Sequence, residues 1–308
     1  MIRIHAFIGA AFGALLALPI SAHAQGIPGV LAAGVQPELV QEGFTGIEGP
    51  VGAADGTLYF SDRNPDRTYH LGLDGKITIA GENTGATNGL AMTREGDLVR
   101  AEGTGKKISK VDRAGKVTTL TEGAPGRPLL SPNDLIVDAR GGVYFTDPGP
   151  RPVVPGRPTG VFYLPPGAKD AVLIDDSVPR PNGIALTPDG RTLLVDNTLG
   201  PAVFAYDVQP DGSVRNKRAF LQLQDTPAGE ESGADGMAID RDGRIYVTSV
   251  VGIQVFDRTG KYLGRFQAAR RSQNIAFGGP DKKTLYFTAG PGLYRVRMLS
   301  QGPDRLGK

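Results

Sequence analysis

The stretch SPNDLIVDARGGVYFTD, Ser131–Asp147, holds a short apolar run, a turn-forming DARGG and a second apolar run. That order predicts a β-hairpin. Its polar head, Asn133 followed by Asp134, stands where the first strand enters the interior. Five other segments repeat the form: EGPVGAADGTLYFSD from Glu48, NGLAMTREGDLVRAE from Asn88, NGIALTPDGRTLLVD from Asn182, DGMAIDRDGRIYVTS from Asp235 and NIAFGGPDKKTLYFT from Asn274. In all six the turn position lies eight residues after the head, at Gly56, Gly96, Gly141, Gly190, Gly243 and Lys282. The heads are 40, 45, 49, 53 and 39 residues apart.

Between these segments lie further strand pairs with their own turns, such as YHLGLDGKITIA, ISKVDRAGKVTTL and GIQVFDRTGKYLGRF. Each unit therefore holds four strands in two hairpins, and six units run over residues 40–300. Four-stranded units at this period predict an all-β fold, a six-bladed β-propeller with four-stranded blades. The first strand of each blade lines the central channel. The six heads then gather near one end of it. The second strands return to that end, bringing Asp62, Glu102, Asp147 and Asp196 toward the same face. Asp134 points the opposite way along its strand and is expected to bond backbone at the blade edge.

The rest of the 308 residues sets bounds on chemistry. Arg3, the apolar FIGAAFGALLALPI and an A-x-A site at Ala22-His23-Ala24 form a secretory pattern. The apolar run is shorter than the roughly 20 residues a spanning helix needs. Residues 1–24 are expected to be a cleaved signal peptide and residues 25–308 one propeller domain, periplasmic or secreted and monomeric. Cysteine is absent, so no disulfide contributes. The formal charge of +2 includes Arg3 of the leader, and nothing in it suggests a nucleic-acid surface or a membrane partner after cleavage. His5 and His23 lie in the leader, leaving His70 alone. A Cys–His pair and Cys-rich or multi-histidine zinc sites are thereby excluded.

Two heads are carboxylates, Glu48 and Asp235, and four are amides, Asn88, Asn133, Asn182 and Asn274. Any one alone could cap nearby backbone. Six together, turned toward one channel, call for a shared partner, because buried polar groups cost free energy unless paired. Carboxylate and amide oxygens select a hard cation, Ca²⁺ first, with Mg²⁺, Mn²⁺ and oxygen-bound Zn²⁺ left open.

The motifs IEGPV, SPNDLIVDARGGVYFTDPG, RPNGIALTPDGRTLLVDNT, GADGMAIDRDGRIYVTS and IAFGGPDKKTLYFTA resemble those of the regucalcin/gluconolactonase family, over roughly residues 38–297 and most nearly its bacterial gluconolactonases. The resemblance implies a six-bladed propeller that opens lactone rings. It implies Glu48, Asn182 and Asp235 as divalent-metal ligands and Asp235 as acid/base. Asn133 matches a position contacting substrate and the water at the metal, or the metal itself. Asn88, Asn133 and Asn274 would orient a small lactone or ester. Two positions depart from the pattern. Ser131 stands where some relatives carry an Arg, and RAEGTGKK keeps Glu102 without the His often beside it. Two other readings stay open: a phosphotriesterase-like hydrolase, since a related propeller uses a similar calcium site, and a non-catalytic Ca²⁺-stabilised binding propeller. The linkers Thr121–Leu130, Pro148–Gly160 and Asp225–Gly233 are expected at the channel mouth, with Arg151 and Arg157 able to meet an anion.

Overall fold

The computed structural model describes residues 26–152, 159–267 and 270–304; the expected signal peptide and Arg157 lie outside the described residues. All six predicted turn positions have positive φ, from 53° at Lys282 to 88° at Gly56. Five are glycines, which enter that region without a Cβ penalty. The hairpin register read from the sequence is therefore the register of the fold. At Ser131–Asp147, Leu135 pairs with Phe145 and Val137 with Val143.

Six four-stranded antiparallel sheets follow one another round the chain. The innermost strands are Ile47–Gly52, Thr87–Met92, Leu135–Val137, Pro181–Leu186, Met237–Ile239 and Ser272–Gly278. Among the described residues there is no helix. The architecture is a six-bladed β-propeller.

The last blade corrects the expectation of four strands per unit. Its own segment supplies three, Ser272–Gly278, Thr284–Ala289 and Gly292–Arg297. The outer strand is Glu38–Glu42, from the start of the chain, antiparallel to Gly292–Arg297 with Leu39 opposite Tyr294. Joining the two ends of the ring in one sheet ties the first blade to the last and leaves no unpaired closing edge. The Thr121–Leu130 linker carries a small extra hairpin, Gly123–Ala124 with Arg127–Pro128.

The core is divided among the seams between neighbouring blades. Between the third and fourth, Ile136, Tyr144 and Val161 meet Ile184, Val195 and Tyr206. Ile27, Val30 and Leu31 fill the seam of the fifth and sixth beside Tyr246 and Phe277. The seam of the first and second is small, with Val51, Leu90 and Met92 buried.

Neighbouring inner strands approach so closely that four heads are followed by glycine. A Cβ on Gly89 would lie 2.7 Å from the Asn133 carbonyl oxygen and 2.8 Å from Asp134 Cα. Gly49, Gly183 and Gly236 are held in the same way against Asn88, Asp235 and Asn274. The Gly89 N–H donates to the Asn133 carbonyl at 2.7 Å, linking the second blade to the third.

Candidate active site

Where the inner strands begin, a cavity of about 480 Å³ opens at the channel mouth. Glu48, Asn88, Asn133, Asn182 and Asp235 line it. Hydroxyls of one blade hold the backbone of the next. Ser61 Oγ donates to the Asn88 carbonyl at 2.6 Å, and Thr146 Oγ1 to the Asn182 carbonyl at 2.6 Å. Thr248 Oγ1 reaches the Gln273 carbonyl at 2.9 Å, and Thr198 Oγ1 the Ala234 carbonyl, one residue before Asp235, at 2.9 Å. Thr198 also accepts a hydrogen bond from Asn182 Nδ2 at 3.1 Å, which fixes that amide with its oxygen on the other side.

The side-chain oxygens of Asn88, Asn133 and Asn182 are buried and without a hydrogen-bond partner among the described residues. Buried polar atoms are rarely left so, and each costs on the order of 1–3 kcal/mol. Burial pushes the Glu48 carboxyl up in pKa; Arg63 and the Gly49 N–H, 3.3 Å away, pull the other way. Asp235 is raised well above the usual carboxylate range, first by burial and then by the charge of Glu48, with Arg271 opposing. Two buried carboxylates raised in pKa and three amide oxygens without a partner among the described residues fit a hard divalent cation. Among the described residues no three His, Cys, Asp or Glu side chains group as a cation site, so a cation held here would need amide donors beside the carboxylates.

The sixth head does not join the other five. Asn274 is fully buried and its Oδ1 accepts the Ile275 N–H at 2.9 Å. It does not line the cavity, and its amide acts on Glu48 from the side. Asp134 does bond backbone, taking the Leu135 N–H at 3.0 Å and the Ile184 N–H at 3.4 Å. It does so between two inner strands and not at the blade edge, near enough to raise the pKa of both Glu48 and Asp235.

The strand-end acids are braces. Asp62 holds the Thr45 N–H at 3.1 Å, and Asp196 the Gly183 N–H at 3.0 Å. Asp147 holds those of Leu130, Ser131 and Gly149 at 2.6, 2.9 and 3.0 Å, which shapes the loop ahead of Asn133. Glu102 forms a buried ion pair with Arg100 at 2.8 Å and is also held by Ser109.

Of the linkers, Pro148–Arg151 and Glu231 reach the cavity, and Arg151 meets Glu231 across the mouth at 3.0 Å. No residue of Thr121–Leu130 lines it. Arg63, Arg180, Arg271 and Thr198 line the site and were not singled out from the sequence. A signal existed: Arg63 follows Asp62, Arg180 stands two residues before Asn182, and Arg271 three before Asn274.

A gluconolactonase from Zymomonas mobilis is 27% identical over 293 residues, covering 86% of this chain and 82% of that protein. A pentonolactonase from Haloferax volcanii is 28% identical over 253 residues, covering 80% of this chain and 81% of its own. The solved structure of a gluconolactonase from Xanthomonas campestris superposes with a TM-score of 0.76 at 29% identity, covering 86% of this chain and 90% of that one. The sequence profile of the SMP-30/Gluconolactonase/LRE-like region matches residues 47–290, and the chain belongs to that family.

Proposed function

We propose that the chain is a divalent-cation-dependent lactonase acting in the cavity around Asp235. The carrying observation is the set of three buried, unpartnered amide oxygens, Asn88, Asn133 and Asn182, beside the raised carboxyls of Glu48 and Asp235. Relatives named gluconolactonase and pentonolactonase support lactones as the substrate class.

Glu48, Asn133, Asn182 and Asp235 would hold the cation, Ca²⁺ by donor type, which when bound polarises a lactone carbonyl and lowers the pKa of a nearby water. Asp235 takes the proton of the attacking water and returns it to the ring oxygen as that oxygen leaves. The products are one hydroxyl and one carboxylate on the same opened chain. Asn88 and Asn133 present amides to the substrate's hydroxyls. Thr198 keeps Asn182 in register, and Arg151 with Glu231 narrows the mouth. A carboxylate close to a cation is a weak base, which suits a reactive lactone better than an amide. The Met1–Ala24 pattern supports an extracytoplasmic site of action, checked by N-terminal sequencing of the mature chain; we read that chain as a monomer, checked by its sedimentation.

The test is hydrolysis of sugar and aliphatic lactones by purified chain, stripped by chelator and then resupplied with Ca²⁺. Hydrolysis should vanish on stripping and return on resupply, and Asp235→Ala should abolish it. Wild-type rates in Asp235→Ala would refute the role of Asp235, and chelator-insensitive turnover would refute the cation's.

A further inference from the structure

The cavity holds more cationic charge than a neutral lactone needs. Four arginines and three carboxylates line it. Glu231 is paired with Arg151 at 3.0 Å. Under the reading above, Glu48 and Asp235 are neutralised by the cation they hold. Arg63, Arg180 and Arg271 are then left, with Asp134 also acting on Asp235 among the described residues. None of the three has a carboxylate within ion-pair distance among the described residues. Residues 153–158 and 268–269 contain no Asp or Glu.

Arg180 is the most telling of the three. It is only 9% exposed, yet among the described residues its guanidinium has one acceptor, the Pro148 carbonyl at 3.3 Å. Arg271, at the exposed side of the mouth, has one acceptor among the described residues, the Gly233 carbonyl at 3.0 Å. A guanidinium carries five N–H donors in a planar fork that matches a carboxylate. A charged group this buried is ordinarily paired. Arg180 and Arg271 line the same cavity as Asp235, the reacting carboxylate.

We propose that the site is built for an anionic lactone, a sugar-acid lactone that carries a second carboxylate, with that carboxylate seated on Arg180 and Arg271. The inference rests on the lactonase reading for the reaction, but on the arginines alone for the anion. Ring opening by water thus releases a dicarboxylate.

Two probes differ in one group. Glucaro-1,4-lactone bears a carboxylate where glucono-1,4-lactone bears a hydroxymethyl. The expected preference in kcat/KM for the former is roughly ten- to hundredfold, the effect of one charge-assisted contact. Arg180→Gln should erase it mainly through KM, and Arg180→Lys should keep part of it. The second readout needs no turnover: calorimetry of glucarate against gluconate on the purified chain, with and without Ca²⁺, should show tighter glucarate binding that Arg180→Gln removes. Equal handling of both lactones together with equal binding of both acids would overturn the anion site and leave the lactonase reading intact. Arg180-dependent glucarate binding with neither lactone opened would support the anion site and overturn the lactonase reading instead.

Discussion

Gly89→Ala tests how the heads are spaced. Gly89 does not have positive φ, so alanine there meets no backbone strain and the whole effect is steric. The new methyl would sit 2.7 Å from the Asn133 carbonyl oxygen, 2.8 Å from Asp134 Cα and 2.6 Å from Asp134 Oδ1. Ordinary carbon contacts need about 3.5 Å, so the Asn133–Asp134 junction must retreat by roughly 0.7 Å. Overpacking of this kind costs about 1–3 kcal/mol. At about 2–4 °C per kcal/mol, the melting temperature should fall by several degrees. A misplacement of about 1 Å at a reacting site costs on the order of a hundredfold in rate, so a loss of roughly tenfold in kcat/KM is expected. Gly190→Ala is the control. It has open space but a φ of 69°, so it should cost about 1–2 kcal/mol of stability and leave lactone turnover unchanged. Thermal melts and lactone kinetics on the three proteins decide it. Wild-type melting and turnover, within twofold, in Gly89→Ala would refute the close-approach argument.

Three other outcomes are expected. Ca²⁺ at a hundredfold excess over its dissociation constant should stabilise the wild-type chain by about 2.7 kcal/mol and Glu48→Gln/Asp235→Asn by nothing measurable, read as melting temperature with and without the ion. In metal-free protein the folded pKa values of Glu48 and Asp235 lie above their unfolded values, so their contribution is fully present below the ordinary carboxylate range of about 4. That stability is lost as pH rises through the raised folded values, and the same double variant should flatten the decline in chelator-treated melts from acid to neutral pH. Thr146→Val removes the donor to the Asn182 carbonyl and the acceptor of the Asp134 N–H at 3.2 Å; urea unfolding should show a loss of about 1–3 kcal/mol.

Much of this molecule was legible as a string of residues because a propeller is a local repeat. Head, strand, turn at the eighth position and returning strand are all set within about 15 residues. The turn chemistry of Gly56, Gly96, Gly141, Gly190 and Gly243 and the recurring apolar runs were enough to specify six blades. Sharing a place in the repeat also brought Glu48, Asn88, Asn133, Asn182 and Asp235 to one mouth.

Tertiary structure decided what the repeat does not contain. Asn274 has the right sequence position, but its amide turns to its own Ile275 N–H and sits behind Gly236, so it leaves the ring. Asp134 reaches the centre because the neighbouring blade offers the Ile184 N–H there. Glu38–Glu42 becomes the outer strand of the last blade because closing the ring needs a strand from the far end of the chain. Arg180 and Arg271 come from linkers of unequal length, where no period operates, and Arg63 from the turn after Asp62 in the first blade. The burial of Arg180, and the lack of ion-pair carboxylates around all three among the described residues, depend on residues from other blades. A repeat fixes which backbone positions meet at the channel; the charge that a substrate finds there depends on packing across distant segments, and only the folded chain sets it.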